Sequence, residues 1–516
     1  MLVKLAMLVV FAAVTVGVGI YCRRHSTDVN GFVLGGRGVG PWLTAFAYGT
    51  SYFSAVIFVG YAGQFGWKFG VASTWIGLGN AFLGSLLAWV VLGRRTRIMS
   101  QHLDSSTMPQ FFERRFNSKG MKLASSLIIF VFLVPYTASL YNGLSRLFSM
   151  AFNVDYTVLI IVMAALTAVY VIVGGYMAAA VNDFIQGIIM LIGIVLIIAS
   201  VLKINGGFTG SLVALANVSD STASDIPGVF ASFFGPDPAG LLSVVILTSL
   251  GTWGLPQMVQ KFYSIKSEKD IHKGTVISTL FAVVVAGGCY FLGGFGRLFN
   301  VDIATEGYDA IIPEMLSTLS PWLMGITLIL VLAASMSTLS SLVLTSSSTL
   351  TLDFIDPVII KKNQTEKKDL IIIRIFVAVF IIISAVIAIV QYKHNSTFIA
   401  QLMGLSWGAL AGSFLAPFLY SLYWKRVTKT ACFVSFIWGS GIMLLNMFAK
   451  SIFPEFLQSA VNCGAFAMAG GLVIVPIVSL LTKKPDRELV ENVFSCYNDK
   501  VLVPVTEALN GTSEEK

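Results

Sequence analysis

Thirteen stretches of roughly twenty apolar residues run through this chain, each long enough to cross about 30 Å of hydrocarbon as an α-helix. They fall near 3–22, 41–66, 72–93, 123–150, 156–174, 178–202, 239–259, 274–296, 322–348, 370–391, 398–423, 430–449 and 462–482. Of the 516 residues, 56% are hydrophobic and 12% charged, well outside the range of soluble domains. In lipid every backbone polar group must be satisfied internally, so the expected fold class is an all-α integral membrane protein of about 13 transmembrane helices.

The basic residues give the spans a direction. In the thirteen-span reading, 26 Lys and Arg lie in segments on one side and 7 on the other, with Arg374 inside a span. By the positive-inside rule the richer side is cytoplasmic, which predicts an outside N-terminus and a cytoplasmic C-terminus in the cell membrane. The first stretch, Val3 to Cys22, is long enough to span and lacks a small-residue cleavage site, so an uncleaved helix is expected.

The net charge of +8 is therefore explained by orientation rather than by nucleic acid. Cys22, Cys289, Cys432, Cys463 and Cys496 form no Cys-x-x-Cys pair, and His25, His102, His272 and His394 all fall beside polar loop residues. Neither a metal site nor an intramembrane enzyme is written here, and no cofactor is expected. No soluble domain or obligate protein partner is evident. The outer loop at 203–238 reads as a surface cap, and the tail at 483–516 holds at most one amphipathic helix, Arg487 to Asn498.

Two spans carry helix-weakening runs at mid-depth: Gly49-Thr50-Ser51-Tyr52-Phe53-Ser54 and Gly251-Thr252-Trp253-Gly254-Leu255-Pro256. Glycine lowers helix propensity, and Pro256 cannot donate to the ladder. Unwound backbone at this depth must line a buried or watery cavity, where freed carbonyls can bind a cation and half-helix N-termini can face an anionic group. The alternative is a pair of kinks without function. The breaks lie about 200 residues apart and each opens a block of five spans, the pattern of an inverted repeat. That divides the chain into 1–40, a first repeat at 41–202, the outer loop, a second repeat at 239–423, two further helices at 424–482 and the tail.

The ninth span is the most polar, with hydroxyls on ten of the fifteen residues from 335 to 349. Ala334, Ser337, Thr338 and Ser341 share one face at i, i+3, i+4 and i+7. Such a stripe can offer oxygens to a hard cation such as Na+, or simply let helices approach closely. Asp183 is an acid at the start of the sixth span. It is either a functional carboxylate or a helix-start residue satisfied by backbone amides.

Taken together, Leu34-Gly35-Gly36-Arg37 with Gly40-Pro41, Gly174-Gly175 followed by Asp183 and Gln186, and the run from Ala334 to Ser341 resemble the sodium:solute symporter family. The resemblance implies a leucine-transporter-type fold of two inverted five-helix repeats, with one helix before and two after. It implies a primary sodium site from the carbonyls of Thr50, Phe53 and Ala334 and the hydroxyls of Ser337 and Thr338. Some members bind a second sodium near the cytoplasmic side, and Asp183, Ser340 and Ser341, with Ser337 shared, match its ligands. One or two sodium ions per cycle both stay open.

The resemblance implies import of a small polar solute such as a proline-like amino acid or a pantothenate-like carboxylate, with a sugar or sialic acid as the alternative. The proline carriers hold an aspartate where this chain has Tyr52, and Val181-Asn182-Asp183 and Gly254-Leu255-Pro256-Gln257 look more like the pantothenate branch. Geometry puts the solute near Tyr48, Ser51, Ser54, Trp253 and Gln257, and makes Arg37, Gly251, Gly254 and Pro256 the gating or coupling candidates. The expected partners are thus the solute, Na+ and the bilayer. The other classes on such a fold are an ion channel, which needs a continuous polar stripe, and a non-transporting sensor.

Overall fold

The computed structural model describes residues 2–152, 154–221, 223–360, 366–394 and 399–497. Lys361 and Lys362 of one basic loop, and the tail from Asn498 to Lys516, lie outside the described residues. Among the described residues there is no strand, only two isolated bridges, Val39 with Ile265 and Asp220 with Ser224. The long elements are α1 (Leu2–Cys22), α2 (Pro41–Tyr52), α3 (Arg94–His102), α4 (Lys119–Phe152), α5 (Tyr156–Ile204), α6 (Pro238–Gly254), α7 (Pro256–Ser264), α8 (Glu268–Ala282), α9 (Pro321–Thr349), α10 (Glu366–His394), α11 (Ile399–Tyr423), α12 (Lys429–Phe448) and α13 (Ala460–Leu481). A short α14 (Arg487–Ser495) occupies the expected amphipathic position in the tail.

By length and composition ten helices among the described residues can cross a membrane, or eleven if the bent pair α6–α7 is one span. Two apolar runs are too long for a single crossing. Val56–His102 has 47 residues and α5 has 49, about 70 Å or more at 1.5 Å per residue. Each turns at a glycine held in nearly the same conformation, Gly70 at φ 63°, ψ −145° and Gly175 at φ 57°, ψ −150°. That region is essentially closed to residues with a Cβ.

Burial separates the centre of the bundle from its rim. In α9 and α11, 89% of the apolar stretch is buried, against 22% in α1. The hydroxyl-rich α9 packs against α4, α5 and α2. Large apolar side chains such as Val9, Ile192, Ile437 and Leu480 are left on the outside, as a lipid-facing surface requires. The outer loop is capped by its own small core of Leu215, Val229, Phe230 and Phe295, and Arg297 ties it down through Asp220 at 2.9 Å.

One boundary differs from the sequence reading in a way that matters for the site. The seventh span does not stop near 259. After a 47° bend it continues as α7 to Ser264, which is buried throughout. Lys261, expected in a cytoplasmic loop, is 2% exposed and points into the bundle. A lysine in an otherwise apolar stretch reads as a helix end by composition alone, and only the packing of α7 against α2 and α9 reverses that.

Candidate functional site

The first break is local and abrupt. α2 stops at Tyr52, Phe53 is extended (φ −80°, ψ 120°), and a helical path resumes at Ala55. The last ladder bond before the break runs from Phe53 N–H to the Gly49 carbonyl at 3.2 Å, and the next from Phe58 N–H to the Ser54 carbonyl at 2.9 Å. Between them no backbone amide among the described residues reaches the carbonyls of Thr50 or Phe53.

α9 meets those freed carbonyls with its hydroxyl face. Ser337 Oγ donates to the Thr50 carbonyl at 3.2 Å and to the Ala334 carbonyl at 3.0 Å. Thr338 Oγ1 lies 3.2 Å from the Thr50 carbonyl, 3.4 Å from that of Phe53 and 3.1 Å from that of Ala334. Five oxygens thus converge, all from fully buried residues and none charged. Dipolar oxygens of this kind can replace the hydration shell of a monovalent cation without holding it irreversibly.

One turn further along α9 the character changes. Ser340 Oγ bonds its own helix at the Ser337 carbonyl, 2.8 Å, while Ser341 Oγ lies 2.8 Å from Ser51 Oγ. Lys261 Nζ donates to Ser341 Oγ at 3.0 Å and sits 5.0 Å over the Tyr176 ring. Asp183, fully buried, interacts electrostatically with Lys261, and neither of its carboxylate oxygens has a hydrogen-bond partner. The helix-start reading of Asp183 fails on geometry. The second half of α5 begins at Gly175, so Asp183 lies two turns inside and receives no capping amide.

The second break repeats the backbone of the first: Leu255 is extended at φ −78°, ψ 122°, and Pro256 opens α7. Gly251 and Gly254 face α11, where a Cβ on Gly254 would stand 2.8 Å from the Leu415 amide nitrogen and one on Gly251 2.8 Å from the Trp407 ring. Their smallness permits close helix approach, and the bend itself belongs to Leu255–Pro256.

Between the breaks lies a small, nearly filled cavity, lined in part by Tyr48, Tyr52, Phe53, Asn80, Thr252 and Phe281. Of the expected solute contacts, Tyr48 lines it, its hydroxyl donating to the Gly84 carbonyl at 2.8 Å. Ser51 turns instead to Ser341, and the Trp253 indole donates to the Leu83 carbonyl at 3.0 Å. The amide of Gln257 and the hydroxyl of Ser54 are buried without a partner. Beside Ser54 lie two more buried donors, Tyr136 OH and Trp407 Nε1, which with Ser54 have no side-chain partner but one another.

Sequence reasoning missed Asn80, Tyr136, Lys261 and Trp407. Asn80 donates to the Tyr52 hydroxyl and accepts from Ser249 Oγ at 3.1 Å. A lone amide in an apolar span was the available signal for it. Nothing in one sequence marks an aromatic in a span as facing a site.

A charged residue ties the bundle together at each end. Arg37, in the left-handed region at φ 55°, donates to the Ser105 carbonyl at 2.6 Å and to Ser100 Oγ and the Tyr263 carbonyl at 3.4 and 3.5 Å. Beside it Lys266 N–H bonds the Val39 carbonyl at 2.9 Å, so the start of α2 is tied to the end of α7. At the other end Asp309 accepts from the Ile399 amide at 3.3 Å, with Arg146 at 3.9 Å, and burial pushes its carboxyl above the ordinary carboxylate range.

Known proteins share both the chain's sequence and its fold. A Staphylococcus aureus sodium/proline symporter is 31% identical over 493 residues, 93% of each chain. A solved structure of a Na+-coupled sialic acid symporter, in a substrate-bound outward-open state, superposes with a TM-score of 0.70 at 17% identity, covering 94% of this chain and 99% of that one. An Eremococcus coleocola manganese transporter shares the fold more distantly, at TM-score 0.51 and 10% identity over 86% of this chain and 95% of that one. The sodium:solute symporter profile matches residues 32–439, from just before Arg37 to the middle of α12. With both breaks and the hydroxyl helix inside that match, the chain belongs to the sodium:solute symporter family, multi-pass membrane proteins that move a solute together with sodium.

Proposed function

We propose that this symporter imports a small carboxylate, an amino acid of the proline type or a pantothenate-like acid, driven by Na+ bound between α2 and α9. The observation that carries the reading is the convergence of Thr50, Phe53, Ala334, Ser337 and Thr338 oxygens on one point. Na+ there draws the unwound Thr50–Phe53 segment onto α9, and the same segment walls the solute cavity through Tyr52 and Phe53. Binding of ion and solute is therefore mutually favourable, as linkage requires. Each Na+ moving inward gains about 2.3 kcal/mol per 100 mV of inside-negative potential.

A carboxylate is favoured by a buried group of three donors, Ser54 Oγ, Tyr136 OH and Trp407 Nε1, that have no side-chain partner but one another, with Ser54 at the point where the helix resumes at Ala55. The relatives named sodium/proline symporter support the amino-acid end of this range.

In this reading α5 and the run Val56–His102 each cross twice about Gly175 and Gly70, which makes thirteen spans with the bent pair counted once. Residues 41–202 and 239–423 then form the inverted repeats, a division supported by the matching dihedrals of Phe53 and Leu255. The N-terminus lies outside and the C-terminus in the cytoplasm of a cell membrane. Arg37 latches the cytoplasmic side, and rocking about the site exposes it alternately.

Uptake of labelled L-proline and pantothenate into proteoliposomes with an inward Na+ gradient tests the proposal. Saturable, electrogenic uptake that vanishes when K+ replaces Na+ is expected. Sodium-independent uptake refutes sodium coupling, and a non-saturating current points to a channel.

A further inference from the structure

Among the described residues one lysine is buried, and it stands beside the site. Lys261 leaves the membrane-facing rows entirely: it is 2% exposed, on a half-helix buried along its whole length. A lysine in a bundle core is costly unless its charge is balanced. Here the balancing group is Asp183, the acid that interacts with it electrostatically, and which is itself fully buried.

The position matters more than the pairing. Lys261 Nζ donates at 3.0 Å to Ser341 Oγ, one of the oxygens that a second sodium ion would need. Ser340 Oγ is already turned back on the Ser337 carbonyl at 2.8 Å, and Ser341 Oγ also holds Ser51 at 2.8 Å. A single basic group therefore already stands against Ser341 and the Tyr176 ring, with Asp183 in electrostatic reach though beyond direct hydrogen-bonding contact. Adding Na+ would place two like charges beside one carboxylate in a low-dielectric interior, which opposes binding.

Resting on the symport reading above, we propose that the Lys261 ammonium is a tethered cation standing in for a second sodium ion at the Asp183–Ser341 cluster, so that this chain binds one Na+ per cycle. Because the charge is bonded to α7, it cannot leave with the cargo. It holds α7 to α9, and through Ser341 and Ser51 to the last turn of α2.

Equilibrium binding of ²²Na+ to the purified full-length protein, with Na+ titrations followed by tryptophan fluorescence, tests this. Wild type should bind one ion with a Hill coefficient of about 1. Lys261→Met should bind two, with a Hill coefficient rising toward 2, and Lys261→Met/Asp183→Asn should return to one. Lys261→Arg, which keeps the charge, should stay at one. Two ions in wild type, or one in a folded Lys261→Met, overturn the inference while leaving the primary site intact. If Lys261→Met does not fold, Lys261→Gln is read in its place. No sodium binding in wild type takes down the symport reading and this inference together.

Discussion

The two broken helices have the same backbone and different chemistry. Phe53 and Leu255 sit within a few degrees of each other in both dihedrals, yet hydroxyl-bearing Thr50, Ser51 and Ser54 crowd the first break and glycine and proline make up the second. At the first, freed carbonyls meet the hydroxyls of α9. At the second, Gly251 and Gly254 let α11 pack within van der Waals range of the backbone, and the one hydroxyl of the break, on Thr252, is turned to the Gly84 and Ser249 carbonyls at 2.9 and 2.8 Å. An interrupted helix is thus only an opportunity. What faces it decides whether it becomes an ion site or a close-packed bend.

The contrast can be broken most strongly at α9. Ser337→Ala with Thr338→Ala removes two of five oxygens, each worth on the order of 1–3 kcal/mol. The Na+ concentration for half-maximal uptake should rise roughly thirtyfold or more. Unchanged sodium activation would leave the first break without an ion role.

Next come the paired glycines. Gly254→Ala places a Cβ 2.8 Å from the Leu415 amide nitrogen of α11, backbone that cannot swing aside, so about 1–3 kcal/mol of stability should be lost. Gly49→Ala meets the Phe281 ring first, a side chain that can shift where backbone cannot, so the loss should stay below that. Thermal melting of the two variants ranks the breaks directly, and a reversed order would mean that the first break is the more tightly packed one.

A smaller effect is expected at the cytoplasmic latch. Arg37→Ala removes three charge-assisted bonds at a half-buried position and, in a Val259→Cys background that places a thiol in the otherwise cysteine-free α7, should raise labelling from the cytoplasmic side by roughly tenfold. Labelling at the wild-type rate would show that Lys266 and Val39 close that side alone. Pro256→Ala should do least, less than about twofold in uptake, because the first residue of a helix has no ladder bond to lose. A large loss there would mean that proline, and not the extended Leu255, makes the bend.

Much of this was legible in the chain itself. Apolar length sets where helices cross, and the 3.6-residue period puts Ala334, Ser337, Thr338 and Ser341 on one face whatever that face meets. Glycine and proline mark both breaks because their effect on the ladder is local. Tertiary structure decided the rest. Lys261 reads as a loop cation until α7 is seen packed on all sides, and Asp183 reads as either a functional carboxylate or a helix cap until the turn at Gly175 places it two turns inside α5. Asn80, Tyr136 and Trp407 are ordinary span residues until three other helices bring them beside Tyr52 and Ser54. Periodicity reports which side of a helix a residue occupies. The charge, hydroxyl or ring that stands opposite comes from residues hundreds of positions away, and only their packing brings it there.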